Sequence, residues 1–577
     1  MDECSSQETN YSLTGDYANL TDVVDACVEF HHRFPDERTT GIQEARRALC
    51  EWIHKFHREC GTLTPQVEES LRKLHELDCV LIMTAHQPNL FAYGGVFRKA
   101  TLNHVLAERL SESLDLPVVS FFGFADQDFT DDRWVRSALI PDVERRNGVL
   151  ELHVPLPEKI MLSRTPKPSR AIFDKWHQDV QSWIQRKTKA VADVSKSSGV
   201  QLADQKEYWQ NFRQIWGIAS DAHDRAQTCA DFNAFLISKI INGPWEYDTL
   251  FSRFSECQQI FRRELGSLIH QFRKYSQAVR EAEVTSQTKE RGVYSDEYHT
   301  IPFWYHCDCG SKARLTALED EQGIMGRGSC LLCGRHYEID FSEKSEIWTD
   351  LDRVSARALA MPLVFFDGLG ICCYVGGVGG KEYLRQAKYV ANRMGMTFPP
   401  IAFWRPHDRY LGLGQLEALL TLKQLAGSSD PSQCKALEVM LKEKLARTQQ
   451  RVEELELCKK KIADSNAEQG RKISRIRALA VQQDAIRREN NFSISARHLG
   501  LLKNSERVMS LYPCIIDYAI NIGLKNVREE WEGFLNTVGD LRADVTIGTK
   551  MDQQLSPLTL QSLWPILAED LRDDRAN

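Results

Sequence analysis

The spacing of hydrophobic positions changes several times along the chain. Over residues 1–78, the segments DVVDACVEFHHRF, EARRALCEWIHKFHREC and VEESLRKLHEL repeat apolar residues every three or four positions, which predicts helices. Cys79–Ala85 (CVLIMTA) is an unbroken apolar run, the pattern of a strand buried on both faces. The glycine-bearing loop HQPNLFAYGG leads into the helical VFRKATLNHVLAERLSESL, and Leu116–Ala125 (LPVVSFFGFA) reads as a second strand. Strand, helix, strand within so short a span predicts a parallel sheet with helices on its faces.

From about Pro166 to Glu290 the pattern is helical and rich in Trp, Gln and charge, and a compact segment with two cysteine pairs occupies about 301–341. The α/β pattern then resumes. PLVFFD and ICCYVGG read as strands, KEYLRQAKYVANRMG as a helix, and MTFPPIAFWRP as the approach to another strand. Across 434–490, Leu441, Leu445, Thr448, Val452, Leu455, Ile462, Ile473, Ile476 and Ala480 share one three-four register. Lys459, Asn466 and Gln469 interrupt that seam, which predicts a long antiparallel hairpin arm. The tail beyond about Thr537 is weakly patterned and is expected to be partly mobile. The expected fold is α/β: a Rossmann-like parallel sheet split by a helical insertion and a zinc-ribbon-like segment, with a C-terminal α-helical coiled-coil arm. The expected divisions are an N-terminal helical segment (1–78), the first half of the core (79–165), the helical insertion (166–300) and the knuckle (301–345). The second half of the core (346–430), the arm (431–492) and a helical region with the tail (493–577) follow.

Composition narrows the function classes. The 577 residues carry 73 Lys and Arg against 80 acids, a net charge of −7, which argues against a chain-wide grip on nucleic acid. A basic run, Arg471–Arg477 with Arg487 and Arg488, keeps a synthetase-like nucleic-acid or protein-binding factor as the rival reading. The longest apolar run, Ala358–Phe366, is too short to span a membrane, so no membrane partner is expected. The segment MDECSSQETNYSLTGDY has no basic leader and no apolar core, so no secretory signal is expected, and the protein is read as cytoplasmic.

Sixteen cysteines are many for such a chain, and four of them cluster. Cys307-x-Cys309 and Cys330-x-x-Cys333 are each followed by glycine, Gly310 and Gly334, which lets the backbone turn around a bound ion. Four such thiolates make a closed, structural Zn²⁺ site. His306 and His336 are adjacent alternatives. Three loops at predicted strand ends carry the other candidate chemistry, because ligands of parallel sheets bind outside the strands' carboxyl ends. The first holds His86 as general acid or base, Gln87 and Asn89 as ligand-orienting amides, Gly94 and Gly95, and Arg98 and Lys99 one turn inside a helix N-terminus that can receive an anion. The second is Ala125-Asp126-Gln127-Asp128, two carboxylates able to take a proton from an amine, bind Mg²⁺ or grip hydroxyls. The third is the glycine turn Gly376, Gly377, Gly379 and Gly380, where bare backbone can approach a phosphate or other acid. It lacks the Gly-Lys-Ser/Thr of a P-loop and misses the third glycine of the dinucleotide fingerprint.

Taken in order, these stretches resemble the BshC family, the cysteine-adding ligases of bacillithiol biosynthesis. The family's first loop reads approximately T-G-Q-Q-P-G-L-F-G-G, against TAHQPNLFAYGG here. Its second strand ends like E-D-H-D-F, against Ala125 to Phe129, and its Y-V-G-G-P-G-E-I-A-Y is matched by Tyr374 to Tyr383. Its P-P-V is met by Pro399-Pro400-Ile401, and the likeness spans about 60–410 with a helical arm behind it. The departures are His86 for a glutamine, Gln127 for a histidine and Gly380 for a glutamate. The first motif alone is also similar to the WbqC-like proteins, and the split sheet with a zinc segment to class I aminoacyl-tRNA synthetases, without a HIGH-type or KMSKS-type signature. The BshC resemblance implies amide formation between an amino acid, cysteine in the family, and the amine of a glucosamine-type acceptor. It also implies ATP with Mg²⁺, and the arm offers a homodimer contact. On this reading Asp126 or Asp128 orients or deprotonates the amine, His86, Gln87 and Asn89 with Gln127 hold the acceptor, and the glycine turn receives a nucleotide or acidic group.

Overall fold

The computed structural model describes residues 17–33, 39–76, 79–198, 205–285, 300–320, 323–342, 345–405, 408–427 and 431–548. The run Cys79–Ala85 lies on the first strand, Val80–His86, which sits at the centre of a five-stranded parallel sheet. Val118–Phe124 and then Leu250–Arg253 lie on one side of it, Ile371–Gly376 and then Ile401–Phe403 on the other. Counted along the chain, the spatial order is 3-2-1-4-5, so the winding reverses between the first and fourth strands and opens a crevice at their carboxyl ends.

Both faces of the sheet are covered, which explains why its strands read as continuous apolar runs. Val80, Ile82, Phe122, Phe124 and Val375 join one core with helix Gly94–Leu114 and the C-terminal helices Ile515–Ile522 and Leu524–Thr537. Leu81, Met83, Ala85, Phe121 and Tyr374 join the other, against helices Thr39–Cys60 and Ala360–Leu369 and a second, antiparallel sheet. That second sheet has the order Val354–Ala356, Thr300–His306, Lys312–Asp320, Gly323–Cys330, His336–Asp340.

Three sequence expectations change. PLVFFD is part of helix Ala360–Leu369, not a strand. A short run buried on all sides carries no period to tell helix from strand; Pro362 fits the first turn, and Gly370 ends the helix at φ +59°. The stretch read as helical from Pro166 to Glu290 contains Leu250–Arg253, a strand of the main sheet four residues long and too short to show alternation. The weakly patterned tail supplies a strand, Val545–Gly548, parallel to Asp408–Leu411, while residues 549–577 lie outside the described part. The arm is a hairpin of helices Pro431–Ala463 and Gln469–Glu489 packed on Phe492–Met509. Its seam is only partly apolar: Leu441 and Val452 are buried and Ile473 is exposed, while buried Gln483 bonds the Val452 carbonyl and Lys459. Among the described residues no helix is long and apolar enough to cross a membrane.

Two buried side chains lock the sheet to the N-terminal helices. Arg46 donates to the carbonyls of Cys79, Leu369 and Gly370 at 2.9, 2.9 and 3.0 Å, tying the entries of two adjacent strands. His57 accepts the Phe251 N–H at Nε2 (3.0 Å) and therefore donates from Nδ1 to Thr62 Oγ1 (2.8 Å). Burial pushes His57 down to about 3, so the unfolded chain binds the extra proton between that value and about 6.5. His57 thus costs stability as pH falls through this window and costs nothing above it. Urea unfolding of wild type and His57→Gln at pH 7 and pH 5 is expected to give a difference that shrinks toward acid, by up to about 1.4 kcal/mol per pH unit. A pH-independent difference would contradict the neutral, buried ring.

Candidate functional site

The crevice at the winding reversal widens into a cavity of about 690 Å³. Each of the three loops singled out from the sequence reaches its wall, through His86, Gln87 and Asn89, through Gln127 and Asp128, and through Gly377, Gly379 and Gly380. The first loop is held from below, where Asn233 Nδ2 donates to the Pro88 carbonyl at 2.8 Å and Leu90 N–H to that of Trp134 at 2.9 Å. His86 Nδ1 lies 2.8 Å from the Gln87 carbonyl, which can only accept, so the neutral ring leaves Nε2 as an acceptor. Burial, with the Lys99 charge behind it, pushes His86 down to about 3. Asn89 is 1% exposed, yet neither Oδ1 nor Nδ2 has a hydrogen-bond partner among the described residues, and Gln127 Nε2 is in the same condition. Orphaned amide groups on a cavity wall are costly unless a ligand or water meets them.

The two loop acids separate. Asp126 is not on the wall: its carboxylate accepts from Ser255 N–H (3.0 Å) and Ser255 Oγ (2.5 Å), pinning the loop to the residues after strand Leu250–Arg253. Burial pushes it up to about 6. Asp128 faces the cavity; burial raises its pKa, opposed by the Lys312 charge and a bond from Gln87. Asp132 caps the short helix Arg133–Arg136 through Trp134 N–H, as a helix-starting residue should.

The basic pair also separates. Arg98 pairs with Asp408 at 2.5 Å, both 1% exposed, and stacks 3.9 Å over Trp404, which places it behind the wall. Lys99 is on the wall: Nζ donates to the Ala85 carbonyl at 2.6 Å, forms no ion pair among the described residues, and is pushed down by burial to about 7. Gly95 lines the cavity, whereas Gly94 packs against Tyr518. In the glycine turn, Gly376 abuts Phe403, a Cβ on Gly377 would lie 3.9 Å from Lys99 Nζ, and Gly379 faces open space. Lys99 and the turn therefore form one concave, positively charged corner.

The antiparallel sheet closes the opposite wall with Trp304, Lys312 and Ser355. Sequence reading missed these, and also Gln258 and Trp404. Lys312 stands three residues after Cys309 with no pattern of its own, and Gln258 follows the strand hidden in the helical stretch.

In the turns next to Lys312 the four cysteines meet. All four Sγ atoms lie within 4.8 Å of one another, with Cys307–Cys333 and Cys309–Cys330 at 3.5 Å. Tetrahedral thiolates about 2.3 Å from a metal stand about 3.8 Å apart, so the cluster can hold a metal ion with little movement. His306 is not a ligand here: its ring nitrogens sit 2.9 Å from the Asp352 carbonyl and from Ser355 Oγ. His336 Nδ1 lies 2.8 Å from Ser329 Oγ.

No family model matches the chain, and no curated protein matches it. The reading of the site rests on its own residues.

Elemental analysis of the purified chain is expected to find one tightly held metal ion per molecule, lost in Cys330→Ser. A metal-free wild type would remove the centre. In imidazole NMR, His86 is expected to show no inflection above pH 5; an inflection near the ordinary value of about 6.5 would show a solvated ring instead.

Proposed function

We propose that the chain is a carbon–nitrogen ligase of the BshC type, joining an amino acid carboxyl to the amine of an amino-sugar acceptor. The observation that carries the reading is the convergence of three loops, far apart in sequence, on one cavity at the reversal point of a parallel sheet. The strand order 3-2-1-4-5 suits a Rossmann-like core.

The roles follow from the chemistry each group presents. Amide formation needs a neutral amine and a base near it. Asp128 is the buried wall carboxylate, beside the half-buried helix-capping Asp132, and receives the ammonium proton; Asp126 holds the loop that aims it. His86 serves as an acceptor at Nε2 and not as the base, because burial makes its imidazole too weak a base to hold a second proton. Asn89, Gln127 and Gln87 supply the amide donors and acceptors a polyhydroxyl acceptor requires. Lys99 with Gly377, Gly379 and Gly380 fits the phosphates of ATP, which when bound supplies the energy to activate the carboxyl. A two-carboxylate Mg²⁺ site does not fit, since Asp126 is turned to Ser255. The cysteines are the only group of three or more potential ligands among the described residues.

The four-cysteine centre is read as structural Zn²⁺, because the donor set is all thiolate and closed. The arm is read as a coiled-coil contact between two copies, supported by exposed Met440, Leu457 and Val481 along it.

Incubation with ATP, an amino acid and glucosamine-type acceptors, followed by mass spectrometry, is expected to show the amide product. Asp128→Asn is expected to lower the rate about 10²-fold or more, and Asp126→Asn to act less strongly, through loop order. Full activity in an Asp126→Asn, Asp128→Asn double variant would overturn the assignment.

A further inference from the structure

The cavity's far wall holds a cation that the ligase reading does not use. Lys312 is 3% exposed and opens the strand Lys312–Asp320. Its Nζ donates to the Gln127 carbonyl at 2.8 Å and lies 4.4 Å from the Phe129 ring centre and 5.2 Å from that of Trp304. An ammonium has three donors, and this single hydrogen bond occupies one of them. Asp128 is the acid that acts on it most strongly, yet among the described residues no ion pair within 4.0 Å joins the two. A second cation, the Arg357 guanidinium, lies 4.6 Å over the same Trp304 ring and repels Lys312. Two buried cations beside one indole ring that lines a cavity suit an incoming anion.

The position of Lys312 is set by the cysteine-bearing turns. It directly follows the turn Cys307–Ser311, closed by Cys307 N–H to the Ser311 carbonyl (2.9 Å) and Gly310 N–H to that of Cys307 (3.0 Å). Gly310 holds φ +88°, a conformation open to glycine. From the other turn, Leu331, next to Cys330, donates its N–H to the Lys312 carbonyl at 3.0 Å. The Gly310 carbonyl in turn accepts from Met161 N–H at 2.9 Å, docking the knuckle on the segment that packs under the Asp126–Asp128 loop. Both turns that flank the lysine backbone are thus the turns that a metal would clamp.

We propose that Lys312 is an oxyanion-receiving group of the cavity, taking a carboxylate or phosphate of the bound ligand, and that the four-cysteine knuckle positions it. Anion binding in the cavity and metal retention in the knuckle are then linked, each favouring the other. The inference rests on the cavity geometry and not on the ligase reading, and its test reads no ligation product.

The test is hydrogen exchange of the amides of residues 126–130 in the full chain, titrated with inorganic phosphate and, separately, with acetate. In metal-loaded wild type at least one of the two anions is expected to slow this exchange, and the more effective one names the ligand chemistry. In Lys312→Met the half-maximal concentration is expected to rise about tenfold or more, the loss of one charge-assisted hydrogen bond, while Lys312→Arg retains most of the effect. Stripping the metal with a chelator is expected to abolish the slowing along with knuckle protection. Slowing that survives in Lys312→Met, slowing that survives metal removal, or no effect of either anion on wild type would each overturn the proposal. Should Lys312→Met lose its cooperative melt, the comparison of wild type with and without metal decides it.

Discussion

Backbone carbonyls at the carboxyl ends of buried parallel strands have no further strand to pair with, and this constraint shapes the cavity. The Ala85 carbonyl is met by Lys99 Nζ, the Val375 carbonyl by Thr84 Oγ1 at 2.8 Å, and, in the loop just past strand Val118–Phe124, the Gln127 carbonyl by Lys312 Nζ. Side chains from other elements are drawn to the strand ends because an unmet buried carbonyl costs about 1–3 kcal/mol. Two of those side chains are ammonium groups. Satisfying the backbone therefore places positive charge at the rim of the crevice, with donors left over.

The same edge explains the division of labour among the loop residues. Groups facing the packed interior are consumed by structure: Asp126 by Ser255 and Arg98 by Asp408. Groups facing the cavity keep unused valence: Nε2 of His86, the Asn89 amide, the Asp128 carboxylate and the two lysines. A water-poor wall of this kind shifts proton equilibria toward neutral forms. It lowers His86, Lys99 and Lys312 and raises Asp128. Of these, Lys99 and Lys312 are brought to about 7 and about 8, close to neutrality.

The second sheet joins two sites that the chain order separates. Its cysteine-bearing turns lie at one end and its cavity residues, Trp304, Lys312 and Ser355, face the main sheet. The turns are tied to the cavity wall by a short series of hydrogen bonds: Leu331 to Lys312, Lys312 to Gln127, and Met161 to Gly310.

What the sequence determined by itself was local. The unbroken run at Cys79–Ala85 encoded a strand buried twice over, the cysteine pairs with their glycines encoded a four-thiol cluster, and the glycine and acid loops marked strand ends. Period and spacing suffice there because each depends on residues close along the chain. Helix Ala360–Leu369 escaped that reading because burial on every side erases periodicity, and Leu250–Arg253 escaped because four residues are too few to alternate. Only the tertiary structure decided which of two neighbouring groups faces the cavity, Asp128 over Asp126 and Lys99 over Arg98. That choice depends on partners such as Ser255 and Asp408, more than a hundred residues away, which leave no trace in local pattern. Lys312 shows the same limit. Its chemistry was in plain sight beside Cys309, but its meaning came from the Gln127 carbonyl that folding brings to it.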